Sequence, residues 1–235
     1  MAELWAGLQE AIRLITHGDP ELYDITWRTI VVSGSATLVA MLVGVPAGYV
    51  LARTRFPGRT IVLGAVNTGM GFPPVVIGLL VWLMLVRNGP FGGFELIYTK
   101  RAMVIAQFII AVPLVIGFTA AAVQALPEHL PDLLTTLGAG RLRTLWLLCR
   151  EADLGLLAAV MAGFGAVISE VGASLTVGGN LQGDTRVLTT AIVLDTSRGE
   201  YDRAMALGII LLAMTFAVNL LLTAIQQRRA LRRAR

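Results

Sequence analysis

The chain has 235 residues, of which 56% are hydrophobic and 14% charged, whereas an average soluble domain carries about 25% charged residues. Its apolar residues lie in long unbroken runs that a water-facing surface does not permit, so a soluble globular protein is excluded. The single cysteine, Cys149, rules out an internal disulfide and a multi-cysteine metal site, and the distribution of the net charge of +4 says more than its sum.

Leu4, Leu8, Ile12 and Ile15 fall at helical spacing, with Glu10 and Arg13 elsewhere on the helix. That stretch is too short and too charged to span a bilayer and reads as an amphipathic helix at the interface. The first twenty residues also hold Glu3 and Asp19 and no small-residue cleavage site, so no cleavable signal peptide is expected. Spanning about 30 Å of hydrocarbon takes roughly 20 apolar helical residues. Uncharged stretches at 29–52, 60–86, 102–127 and 204–227 meet that length, and a fifth, 154–178, is interrupted only by Glu170. None alternates every second residue as barrel strands do, and lipid leaves backbone groups satisfied only in helices or closed barrels. The expected fold is therefore all-α with five transmembrane helices. It divides into an interfacial helix and external segment at 1–24, a membrane domain at 25–227 and a basic tail at 228–235. The apolar segment Val187 to Leu194, between the last two spans, is long enough for two helical turns at the membrane edge.

Orientation follows from arginine and lysine. With the N-terminus outside, the inner segments hold eleven arginines, at 53, 55, 59, 141, 143, 150, 228, 229, 232, 233 and 235. Only four acids oppose them, Glu128, Asp132, Glu151 and Asp153, while the outer segments hold eight positive and ten acidic residues. An external N-terminus and a cytoplasmic C-terminus in an inner membrane are expected, against three outer positives at Arg87, Lys100 and Arg101. The Arg228 to Arg235 run reads as an anchor to anionic lipid.

No catalytic residues are expected. A phosphate-binding loop needs a Gly-Lys-Ser/Thr core, and the one lysine, Lys100, sits between Thr99 and Arg101. His17 and His129 lie on opposite sides of the membrane in this topology, and Glu170 is the one acidic or basic residue inside a span. Membrane-embedded enzymes and proton pumps need several such groups within reach of one another. Transport driven by a separate energy source fits better than a membrane enzyme.

Glu128 to Asp153 joins the third and fourth spans. Pro131 suits a helix's first turn and Gly138 the left-handed residue that ends one, so a two-turn helix over 131–137 is expected, with a second amphipathic helix from about Arg141 into the fourth span. Such a short helix is either a docking device or a solvated turn. Asp132-Leu133-Leu134-Thr135-Thr136-Leu137-Gly138-Ala139 resembles the EAA loop of importer-type ABC permeases, Glu-Ala-Ala, three residues, then Gly. Asp replaces Glu, two leucines replace the alanines, and Arg150-Glu151-Ala152-Asp153 stands where Leu-Pro is usual. An EAA-like loop argues against an energy-independent channel, which needs no docking helix.

Ile168-Ser-Glu-Val-Gly-Ala-Ser-Leu-Thr-Val-Gly-Gly-Asn180, followed by Gly183-Asp-Thr-Arg-Val-Leu-Thr-Thr-Ala-Ile192, resembles the tungstate permeases of the tungstate/molybdate/sulfate importers. Gly44-Val-Pro-Ala-Gly-Tyr49 belongs to the same likeness, which covers about residues 25 to 225. The resemblance implies a type I ABC importer permease working by alternating access as a homodimer. It also implies a cytosolic ATP-binding subunit pair that binds ATP and Mg, and an extracytoplasmic substrate-binding protein. It leaves this chain without cofactor, metal or nucleic acid. Tungstate is the first expected substrate, with molybdate or sulfate as alternatives. Coupling to the ATPase would fall to Pro131, Asp132, Leu133, Leu134, Leu137, Gly138, Ala139 and Arg141.

Glu170 is read as a pathway or gate residue, through backbone N–H bonds or Arg186, or as a hydrogen-bonded structural anchor. Gly165, Ser169 and Ala173, four apart, form a small-residue stripe that either packs helices or lines a pathway. Pro73 and Pro74, flanked by Gly69, Gly71 and Gly78, and Pro113 in the next span either only shape their helices or, at the proline pair, form a hinge. Gly178-Gly179-Asn180 ends the fourth span or offers N–H groups to an anion.

Overall fold

The computed structural model describes residues 2–17 and 19–233; the side chains at 2–4, 6, 11, 14, 232 and 233 lie outside what is described, and with them what is expected of Glu3, Leu4, Arg232, Arg233 and Arg235. Among the described residues the chain is entirely helical. α1 (Ala2–Thr16) packs against the start of the last long helix, with Gly7 against Met205. Trp5, Leu8, Ile12 and Ile15 face away from the protein, the direction of lipid.

α2 (Pro20–Arg53) begins at Pro20 because the Asp19 side chain accepts from the Glu21 and Leu22 N–H groups at 2.8 and 3.2 Å. Its 34 residues extend about 51 Å at 1.5 Å per residue, so its first turns project beyond a hydrocarbon layer of about 30 Å. The span expected over 60–86 is two helices, α3 (Arg59–Met70) and α4 (Pro74–Leu85), bent by 104°. Two adjacent prolines do more than kink the helix: neither has an N–H, Pro73 caps a new helix and Pro74 opens it. α5 (Lys100–Gln124), by contrast, runs through Pro113 unbroken.

α6 (Leu130–Thr136) and α7 (Arg141–Glu151) follow, and α7 bends by 78° into α8 (Asp153–Ile168). The fourth span does not continue to Gly178 as one helix. It stops at Ser169 and restarts as α9 (Gly172–Gly178), which ends on left-handed Gly179 (φ 70°) and Asn180 (φ 51°). α10 (Leu188–Arg198), capped by Val187, takes up the 187–194 segment and packs on α11 (Tyr201–Arg233), which runs into the basic tail as far as Arg233. Among the described residues three helices, α2, α5 and α11, are long and apolar enough to cross a membrane, and up to five spans result if the bent pairs α3–α4 and α7–α8 each count as one.

α5 is the central post, packed against α2, α3, α4, α8 and α9. The α2 contact is close because Gly48 has no side chain: a Cβ there would stand 2.6 Å from the Ile116 carbonyl oxygen. Val32, Ile77, Val81, Leu85, Met103, Ala173 and Val177 form one core on the α4–α9 side, and Ala40, Ala111, Val115 and Val167 form another deeper along α5. α11 is mostly outward-facing, with Leu212, Phe216, Leu220 and Leu221 exposed as a lipid-facing surface would be.

Candidate functional site

The two interior chain breaks meet. A cavity of about 360 Å³ is lined by Gly69 to Pro74 from the α3–α4 break, Ile77, Ile109, Ile110 and Leu114, and Ala166, Ser169 and Glu170 from the α8–α9 break. Breaks belong where backbone at membrane depth faces a cavity or protein, because lipid offers no hydrogen bonds. The side chains around it are mainly apolar, but nearly half of the lining surface is polar and comes from the breaks themselves. Sequence reasoning found Pro73, Pro74, Ser169 and Glu170 but not Met70, Phe72, Ile109, Ile110 and Leu114. Their apolar side chains resemble those of any span, and only the fold brings them together.

Glu170 is 7% exposed, and its Oε1 accepts the Ala173 N–H at 2.8 Å, capping α9. Its carbonyl accepts from the Thr189 hydroxyl at 3.0 Å, joining the break to α10. Arg186 does not pair with it: Arg186 lies 3.3 Å from Glu21 instead. Nor do Gly165, Ser169 and Ala173 share one helical face, because the break rotates Ala173 onto another helix. Ser169 lines the cavity and donates to the Gly165 carbonyl at 2.9 Å. Ala173 is fully buried against α4, where a Cβ on Gly78 would stand 2.6 Å from the Ala173 Cα. α9 is tied to α5 by Gln107, buried, whose Nε2 donates to Ser174 Oγ at 3.1 Å.

A charged cluster lies at the projecting end of α2. Glu21 receives Arg186, Arg203 at 2.8 Å and Gln182 at 3.0 Å. Arg203 also reaches Asp195 at 3.5 Å, while buried Arg28 pairs with Asp24 and donates to the Arg186 carbonyl at 3.0 Å. Burial pushes the Asp195 carboxyl above the ordinary carboxylate range, against the pull of Arg203. The Glu21 pairings and the Arg28 bond to the Arg186 carbonyl join residues more than 150 positions apart, and no spacing in the sequence announces them, whereas Asp24 and Arg28 are an ordinary i, i+4 helix pair.

On the other side, α6 is short and exposed. Leu133 and Leu137 are 50% and 75% exposed, Asp132 is exposed and Pro131, Leu134 and Ala139 are half-buried. Gly138 is left-handed (φ 82°); its N–H donates to the Thr135 carbonyl at 2.9 Å and that of Ala139 to the Leu134 carbonyl at 3.0 Å, the pair of hydrogen bonds that ends a helix at glycine. Arg141, exposed, opens α7 after Gly140. Among the described residues no three His, Cys, Asp or Glu side chains are grouped to hold a metal.

The pattern of the family described as "Binding-protein-dependent transport system inner membrane component" matches residues 44–232. The tungstate uptake system permease protein TupB of Peptoclostridium acidaminophilum is 37% identical over 94% of this chain and 97% of its own length. A probable anion ABC transporter permease protein of Haloferax volcanii is 40% identical over 85% of this chain and 88% of its own. A solved structure of the MetNI methionine ABC transporter superposes with a TM-score of 0.70 at 17% identity, covering 89% of this chain and 98% of that one, which shows the shared fold. The chain belongs to the binding-protein-dependent transport system inner membrane component family: it is a multi-pass ABC importer permease, the membrane subunit and not itself an enzyme.

Proposed function

We propose that this permease imports tungstate, with the arginine-rich ends of its spans in the cytoplasm and its N-terminus outside. The observation that carries the substrate is the 37% identity to a tungstate uptake permease along nearly the full length of both chains. The Haloferax relative, a probable anion permease, supports the same chemical class. Molybdate and tungstate are tetrahedral dianions of nearly equal size, so molybdate is the second substrate, and an external binding protein does most of the choosing.

In this reading two copies face each other across the pathway, and each contributes its cavity at the paired breaks. Pro131 to Ala139 and Arg141 dock into a cytosolic ATP-binding subunit, which binds ATP and Mg. Exposed Leu133 and Leu137, with Leu134 beside them, offer the apolar anchors that such an interface needs. ATP binding draws the α6 helices together, and α7 and α8 carry the displacement to Ser169 and Glu170. The proline break at Pro73 and Pro74 is the second flexible point. Glu170 does not ligand the anion, because two like charges repel and its carboxylate already holds α9.

The test is ATP-driven uptake of radiolabelled tungstate into vesicles holding the permease, its ATP-binding subunit and the binding protein. Uptake that needs all three proteins, and that excess molybdate suppresses more than sulfate, is the expected result. Uptake without ATP, or none with any tetrahedral oxyanion, would overturn the reading.

A further inference from the structure

Three contacts mark the level at which the spans end on the arginine-rich side. Arg53 of α2 donates to the Val123 carbonyl at the end of α5 at 3.0 Å. Gln226 of α11 donates to the Leu154 carbonyl at 3.3 Å, and Arg229 pairs with Asp153 at 3.2 Å, where α8 begins. α7 ends at Glu151, beside that junction, and its 78° bend against α8 lays its 11 residues, about 16 Å at 1.5 Å per residue, nearly across the spans. A helix at that depth and angle runs along the membrane surface.

Its faces are sharply divided. Thr144 and Leu148 turn into the protein and are buried. Leu142 and Trp146, one turn apart, point outward at 83% and 59% exposure. Arg143 and Arg150 follow them around the helix, and the Arg150 guanidinium lies 5.4 Å over the Trp146 ring. Tryptophan is enriched at the membrane–water boundary, and an apolar arc flanked by arginines is the pattern of a helix seated in headgroups. Guanidinium groups match phosphate oxygens in a planar, two-point geometry.

We propose that α7 is an in-plane membrane anchor. Leu142 and Trp146 enter the acyl boundary, and Arg143 meets the phosphate groups of anionic phospholipid. The lipid thereby holds the link between α6 and α8. This assignment needs no ATP-binding subunit and stands or falls separately from the docking of α6.

The test uses the full-length permease carrying Cys149→Ser and Leu142→Cys, labelled with a nitroxide and placed in phosphatidylcholine vesicles with or without phosphatidylglycerol. Leu142 is exposed, so the label is tolerated. Oxygen, which concentrates in lipid, is expected to collide with it severalfold more than a water-soluble nickel chelate does. Phosphatidylglycerol should deepen the label, and Arg143→Gln should remove that deepening. A label reached more readily by nickel than by oxygen, or one immobilised by added ATP-binding subunit, overturns the proposal in favour of water or a protein groove. Equal depth in both vesicle types overturns the assignment to anionic lipid. A second label at Leu137→Cys reports on α6: silence there on adding the ATP-binding subunit counts against docking and leaves the lipid assignment standing.

Discussion

Glu170 gives the sharpest test of the paired-break arrangement. Its carboxylate accepts the Ala173 N–H at 2.8 Å and the residue is 7% exposed, so a leucine in its place leaves that donor facing an apolar side chain. Losing a helix cap costs about 1 kcal/mol, and stranding a buried donor costs about 1–3 kcal/mol. In Glu170→Leu these are one and the same lost hydrogen bond, and we expect a destabilisation of about 1–3 kcal/mol. At about 2–4 °C per kcal/mol for a chain of this size, the unfolding midpoint falls by about 2–12 °C. Glu170→Gln keeps an acceptor of the same shape and loses only the charge assistance, about 0.5–1 kcal/mol, so its midpoint falls by no more than about 4 °C and most transport survives. The assay is thermal unfolding of the purified permease in detergent, followed by size-exclusion chromatography. A Leu variant within about 1 °C of the wild type would show that the carboxylate does not hold α9, and a Gln variant as unstable as Leu would show that the charge alone matters.

Four further outcomes follow from the geometry. Gly78→Ala drives a Cβ to 2.6 Å from the Ala173 Cα, a backbone clash, and should cost about 1–3 kcal/mol and release the α4–α9 contact, read as a lower midpoint with little uptake. Leu134→Glu and Gly138→Val, the second straining a left-handed residue, should strip the ATP-binding subunit during purification while the permease stays folded; normal co-purification and normal substrate-stimulated ATP hydrolysis in both would remove α6 from coupling. In a Cys149→Ser background, cysteines at Thr16 and Gly93 should label from outside and those at Thr54 and Leu231 only from inside, and external labelling at Leu231 would invert the topology. Because burial raises the Asp195 carboxyl in the folded state, folding takes up protons there, so its contribution is full below the ordinary carboxylate range and is lost as pH rises through the raised value. Asp195→Asn should therefore gain in midpoint relative to wild type as pH rises from the ordinary carboxylate range through the raised value, and a difference that stays flat with pH would refute the shift.

The membrane class, the helical fold and the ends of the short helix α6 were legible because each rests on a local signal. Length and apolarity mark a span, and proline and glycine at the right offset mark α6. What stayed hidden depends on residues distant in sequence. Glu170 was visible as an acid in an apolar run, but the run gave no sign that the helix stops beneath it, since Ser169 to Gly172 contains no proline. The same silence made Gly165, Ser169 and Ala173 look like one stripe. Arg186 looked like a partner for Glu170 until α2 proved long enough to bring Glu21 to it first. Asp19 and Pro20 carried that extra length in plain view, a cap and a first-turn proline ahead of the apolar run.

The two breaks solve the same problem in different ways, and the difference bears on which of them can move. At the α3–α4 break the prolines contribute no N–H at 73 and 74, and the remaining donors bond locally: Gly71 to the Thr68 carbonyl at 3.0 Å and Val76 to the Pro73 carbonyl at 3.0 Å. No continuous helix can form through it, so the bend is permanent whatever its angle. At the α8–α9 break every residue has an N–H and a helical conformation within reach. What holds it open is one carboxylate on the Ala173 N–H and one hydroxyl, Thr189, on the Glu170 carbonyl. Each is worth on the order of 1 kcal/mol net, small enough for a partner's binding energy to reverse. If either break converts during the transport cycle proposed above, the α8–α9 break is the one whose hydrogen bonds permit it, and Glu170 and Thr189 are the two side chains that hold it. Glu170→Gln weakens one of those two bonds and leaves the proline break untouched.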